Sequence, residues 1–195
     1  MDTRWLSGAS TASLLVTLLL VSGCGLTGSP EIRSPGLHRA SESLEHVPPG
    51  THVSIGSMFL CLSEPGRVRI ASVRPLKPVG HITVERFAVR PNPLAYHTGD
   101  MVGDSGKSLA QLGFSGSHVM HILCGKSDVG HGYELALQLS RPTRRDVEAY
   151  GWVITYRSGG DVKKFTFPLA VGLCTNTGAR ACKRLDPFWQ AGHSG

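Results

Sequence analysis

The chain has 195 residues, only 17% of them charged, with 24 glycines, 12 prolines and five cysteines. Twenty basic against 14 acidic side chains give a net charge of +6. By length this is one domain with extra segments at its ends, and its Gly and Pro content is below that of a disordered low-complexity chain. A coiled coil, a collagen-like repeat, a large multidomain enzyme and a polytopic membrane protein are excluded.

Residues 1–23 read as a secretory signal. Arg4 opens it, partly offset by Asp2, and an apolar core follows that is densest from Leu14 to Val21. That core is shorter than the roughly 20 residues needed to span a bilayer. It ends at Val21-Ser22-Gly23-Cys24, which resembles the lipobox of bacterial lipoproteins. Small residues before the cysteine let an extended chain enter a peptidase, and the thiolate is the nucleophile that takes up a diacylglycerol. The resemblance implies cleavage before Cys24, a thioether-linked lipid on Cys24, and a protein held on the extracytoplasmic face of the cell membrane. Two or three acyl chains anchor stably where one does not.

With Cys24 assigned to lipid, Cys61, Cys124, Cys174 and Cys182 remain. Outside the cytoplasm four thiols read as two disulfides. Three connectivities are open. Cys174 and Cys182 enclose a short turn-rich loop, which favours local pairing and leaves Cys61 with Cys124; the runner-up joins Cys61 to Cys174. Zinc is disfavoured because no Cys-x-x-Cys pair occurs.

Residues 24–50 form the expected lipidated N-terminus and flexible linker, rich in Gly, Ser and Pro and ending at Pro48-Pro49-Gly50. The linker carries three carboxylates against two guanidiniums and the signal is neutral, so the basic excess, +7, lies beyond residue 50.

From Thr51 the apolar period is two rather than 3.6. His52–Leu62 is apolar on both faces and predicts a buried strand. Arg67–Val73 follows the Glu64-Pro65-Gly66 turn. His81–Arg90 changes parity between Val84 and Phe87, which predicts a bulge near Glu85-Arg86. Next comes the longest gap between strands, Pro91–Gly116. A loop of that size is commonly functional, and Tyr96, His97, Asp100 and Asp104 make it the expected partner-binding loop. Within it Ser105 is placed to cap a helical turn through Leu109 and Leu112, stopped by Gly113. Ser117–Cys124 is the fourth strand. In His131–Ser140, the fifth, Tyr133, Leu135, Leu137 and Leu139 alternate with Glu134, Ala136 and Gln138. Tyr150–Arg157 and Val162–Leu173 form a hairpin around Ser158-Gly159-Gly160-Asp161, and Pro168 marks an edge or a break. Seven strands over residues 51–186, followed by a tail at 187–195 with Phe188 and Trp189, predict an immunoglobulin-like antiparallel β-sandwich; a small barrel is the alternative.

The strings Val89-Arg90-Pro91-Asn92-Pro93 and Val153-Ile154-Thr155-Tyr156-Arg157-Ser158-Gly159-Gly160 resemble those of a group of small secreted actinobacterial lipoproteins. The resemblance implies a compact extracytoplasmic domain and brings no catalytic residues.

Three short motifs depart from the enzymes they resemble. Gly103-Asp104-Ser105-Gly106 is similar to the nucleophile loop of trypsin-like proteases but continues Lys107-Ser108, and no matching histidine segment precedes it. Gly106-Lys107-Ser108 resembles the end of a phosphate loop whose first glycine would fall at Met101. Gly113-Phe114-Ser115-Gly116-Ser117 misses the hydrolase elbow at its last position. His118, Met120, His121 and Cys124 offer soft ligands suited to copper, with His131 nearby, but strand alternation puts His118 and His121 on opposite faces. Arg141, Arg144 and Arg145 share one turn, suited to solvent or to anionic lipid heads and wall polymers. Nucleic acid is not an expected partner, since no aromatic platform alternates with the basic residues. The expectation is a non-enzymatic binding or structural module of the cell envelope, with no cofactor and no metal, contacting the membrane through its anchor and an envelope protein or anionic wall polymer through its domain. An extracytoplasmic copper carrier, or a small surface hydrolase using Ser105, is the alternative.

Overall fold

The apolar run from residue 52 to 62 has no polar face to give to water, so it must lie inside a sheet and beneath another layer. The computed structural model, which describes residues 28–35, 40–93, 106–125, 131–176, 182–183 and 185, places it there. The described residues form eleven strands: β1 (Ile32–Arg33), β2 (Ala40–Leu44), β3 (His52–Leu62), β4 (Val68–Pro75), β5 (Thr83–Pro91), β6 (Val119–Met120), β7 (Tyr133–Ser140), β8 (Val147–Ala149), β9 (Trp152–Ser158), β10 (Asp161–Phe167) and β11 (Leu169–Leu173). They build an all-β, largely antiparallel sandwich.

One layer has the order β1-β3-β7-β5. The other is a long hairpin. Its near half pairs β9 with β10, and Phe167 faces Trp152; its far half pairs β8 with β11, and Val171 faces Ala149. Three residues on one side stand against two on the other between these halves. That is a bulge of one residue, located where Pro168 cannot donate to the ladder. β4 and β6 extend the near half and β2 extends the far half. Between the layers, Ile55, Met58, Leu60, Leu135, Leu137 and Leu139 meet Ile70, Trp152, Ile154, Phe167 and Val171 in one buried cluster. Burying each such side chain contributes about 1.5–3 kcal/mol.

The expected bulge in the third strand is present, with the register shifting between Val84 and Arg86. The hairpin turn is also as expected: Gly159 and Gly160 have φ of 62° and 138°, which a side chain would resist. Elsewhere the structure corrects the sequence reading. The linker expected over 24–50 is folded in its described part. Ile32, Leu44 and Val47 are buried, β1 pairs with the end of β3, and β2 pairs in parallel with β11. Strands this short offer one or two apolar side chains each and show no periodicity. They are held by ladder hydrogen bonds to strands distant in sequence. The domain therefore begins at least by residue 28 rather than at 51.

Ser117–Cys124 is not one strand. Only Val119–Met120 is regular, because the segment crosses from one layer to the other. The Ile70 N–H donates to the His118 carbonyl, while the Leu62 N–H donates to the Ile122 carbonyl, both at 2.9 Å. The Cys61–Cys124 disulfide (Cα–Cα 5.0 Å) pins the crossing, and Cys174–Cys182 (6.3 Å) closes the local loop. Of the three open connectivities, this is the one that local pairing favoured. β7, in which Tyr133 and the leucines alternate with Glu134, Ala136 and Gln138, is buried on both sides along its whole length. On its outer side Ala136 packs against Ala88, Leu109 and Phe114.

Chain-entropy arguments give the 63-residue crosslink about 4 kcal/mol and the eight-residue one about 2.5 kcal/mol. Replacing Cys61 and Cys124 together by Ala is therefore expected to shift the urea midpoint further than replacing Cys174 and Cys182. The opposite order would show that the crossing segment is held by its packing alone.

Candidate functional site

Several residues singled out from sequence lie outside the described residues: Cys24, Ser105, Tyr96, His97, Asp100, Asp104, Phe188 and Trp189. The two described ends of the long loop, Pro91-Asn92-Pro93 and 106–116, do have a place in the fold. The second end lies across the outer side of β7.

Arg90 organises this region. Glu134 projects from β7 on the side away from the main core and is fully buried. Such a carboxylate is costly unless it is paired and hydrogen-bonded. Arg90 supplies both needs, with Nε and Nη2 each 2.8 Å from Glu134 Oε2. The Ser57 N–H adds a long contact of 3.5 Å to Oε1, delivered where β3 loses register between Ile55 and Met58. The third guanidinium nitrogen, Nη1, donates to the Leu112 carbonyl at 2.9 Å, and the guanidinium lies 4.5 Å from the centroid of the Phe114 ring. Leu112 ends a single helical turn that starts with a reciprocal cap between Ser108 and Gln111: the Ser108 N–H reaches Gln111 Oε1 at 2.9 Å, and the Gln111 N–H reaches Ser108 Oγ at 3.4 Å. Gly113, with φ of 83°, stops it as expected. One cation thus neutralises a buried acid, caps a turn and holds an aromatic ring over the sheet.

Two open depressions flank this segment. One, of about 570 Å³, is mostly apolar and is lined by Val73, Val84, Phe87, Leu109, Phe114 and His118, among others. His118 lies against Phe87 with ring centroids 4.3 Å apart, and its Nε2 is 3.0 Å from the Phe87 carbonyl. The other, of about 660 Å³, is more polar and includes Arg67, Arg90, Ser117, His121 and Tyr133. There the Tyr133 hydroxyl and His121 Nδ1 are 2.9 Å apart.

The soft-ligand set does not converge. Met120 is fully buried in the main core, Cys124 is bonded to Cys61, and the two histidines serve different depressions. Among the described residues no group of three or more His, Cys, Asp or Glu side chains is arranged to hold a metal ion. The basic turn also divides. Arg141 is buried and donates to the carbonyls of Val47, Thr143 and Arg145, tying the segment between β2 and β3 to the turn after β7. Only Arg144 and Arg145 face solvent.

A basic face is assembled from separate strands. On the outer side of the β4-β9-β10 sheet, Arg69 stands opposite Arg157, and Arg157 opposite Val162. Lys164 and Arg74 lie in the following rows. All four cations are exposed. The signal was present in Arg67-Val68-Arg69-Ile70, whose alternation puts arginines on one side, but joining it to Arg157 required the strand register.

Arg90→Met should cost about 3–5 kcal/mol by leaving Glu134 buried without its cation. Arg90→Met with Glu134→Met should lie closer to the parent than Arg90→Met alone in urea unfolding. Simple additivity of the two single losses would contradict the pairing account. No family model, curated protein or solved structure matches this chain.

Proposed function

We propose that the protein is a lipid-anchored, disulfide-stapled β-sandwich module on the extracytoplasmic side of a bacterial cell membrane, acting by binding or by structural support rather than by turnover. The observation that carries this reading is the cysteine accounting. All four cysteines of the sandwich pair with one another, and the fifth, Cys24, stands in Val21-Ser22-Gly23-Cys24 directly after an apolar leader. Two disulfides suit an oxidising compartment, and a lone thiol at that position suits acylation.

A binding role is supported further by what the polar groups of the fold do. Glu134, Arg90 and Arg141 are spent on architecture, whereas the open depressions beside Phe114 and the ends of the long loop offer contact area. The partner in this reading is another envelope component, met through the loop that carries Tyr96, His97, Asp100 and Asp104.

The test is metabolic labelling with palmitate in a bacterial host, followed by membrane fractionation. The parent chain should take up label and sediment with membranes. Cys24→Ala should lose the label while the sandwich disulfides still form. A Cys24→Ala variant that still labels removes the anchor from the proposal.

A further inference from the structure

The described chain begins at a definite place on the sandwich, the hairpin end of the β4-β9-β10 sheet. The Ser158 hydroxyl donates to the Pro30 carbonyl at 2.7 Å, and Lys163 Nζ contacts the Ser29 carbonyl at 3.0 Å and Glu31 Oε1 at 3.2 Å. Pro30 also lies against Gly66 so closely that a β-carbon there would come within 2.6 Å of its ring. Residues 28–31 are therefore docked on the fold. Cys24 precedes Gly28 by four residues, and four residues of extended chain reach at most about 14 Å. An acyl group on Cys24 would hold this end of the sandwich against the bilayer surface, with no long linker between them.

The basic face lies at that same end. Arg69 and Arg157 are directly opposed across two strands, an arrangement that like charges disfavour. Lys164 lies one row further along the same face, and Val162, 61% exposed, stands beside Arg157. Arg69, Arg74, Arg157 and Lys164 make no ion pair among the described residues. Among the described residues the acidic groups at this end are Glu31, paired with Lys163, together with Glu64 in the preceding turn and Asp161 at the hairpin; the outer face of strands β4, β9 and β10 carries no carboxylate. A flat, cation-rich sheet with an exposed valine at its leading edge suits a surface of anionic lipid headgroups. There the cations gain by proximity, and the valine reaches the boundary of the acyl region.

We infer that the outer face of β4-β9-β10, led by Arg69, Arg157 and Val162, docks flat on anionic lipid headgroups beside the anchor and so fixes the orientation of the domain. This turns the opposite layer, with the depressions beside Phe114, away from the membrane. The inference rests on Cys24 acylation for its proximity argument, and its test reads the face separately.

A photo-crosslinking benzophenone amino acid is placed at position 162, or at position 86 on the opposite layer, in the acylated full-length product. The protein is reconstituted in vesicles of phosphatidylcholine with or without phosphatidylglycerol. Position 162 should capture phosphatidylglycerol and position 86 should not. Capture should fall by about tenfold or more in R69Q/R157Q, with palmitate labelling and membrane partition unchanged. Equal capture at the two positions overturns the inference, as does capture that is indifferent to phosphatidylglycerol or to R69Q/R157Q. Displacement of the lipid by soluble polyglycerol phosphate overturns it in favour of a wall-polymer site. A parent chain without palmitate defeats the anchor alone; the face is then judged by salt-sensitive co-sedimentation of the secreted chain with the same vesicles, and its absence also overturns the inference.

Discussion

The structure depends on one strand having no side that faces water. β7 packs its leucines into the main core, and its other side lies under the segment 106–114. A polar residue on that outer side therefore needs a partner supplied by the fold, and Glu134 obtains one in Arg90. The remaining contacts of Arg90 then position the covering segment. The charge pair is best understood as a specifier of geometry rather than a large net source of stability, since the desolvation of both ions offsets much of their attraction. The β3 bulge at Ser57, the stop at Gly113 and the placement of Phe114 all serve the same small volume.

The second organising element is the crossing at 117–124. A two-layer sandwich with open ends risks splaying where its edge strands are short. Here the segment bonds first to β4 and then to the end of β3, bridging the two layers, and the Cys61–Cys124 bond secures it. The histidines on either side of the crossing look into different depressions for this reason. Spacing alone had grouped them with Met120 and Cys124.

Much of the fold is legible in the sequence where the apolar pattern is long. The ends of β3, the bulge at Glu85-Arg86, the glycine turn at 159–160 and the break at Pro168 follow from periodicity and from backbone chemistry. β1, β2 and β8 are not legible, because two to five residues with few apolar side chains carry no period and their ladders join distant parts of the chain. The burial of Glu134 was hidden by the same rule that located its strand, since alternation marks the polar side without saying what covers it. Of the functional reading, the proposed lipid address rests on the local sequence around Cys24. The partner-binding loop named from composition lies outside the described residues, and the basic face emerges only once strand register brings Arg69 to Arg157.

β2 pairs in parallel with β11, Ala40 facing Leu169 and Leu44 facing Leu173. The contact joins a strand from the first quarter of the chain to the last strand of the sandwich. A polypeptide emerging from a ribosome or a translocation pore with its N-terminus first cannot close that ladder until residue 173 is free, and long-range pairing of this kind is slow. β1 can meet β3 early, but β2 must wait for its partner through most of the passage. The fold thereby delays its own completion and leaves the final seal to its last strand.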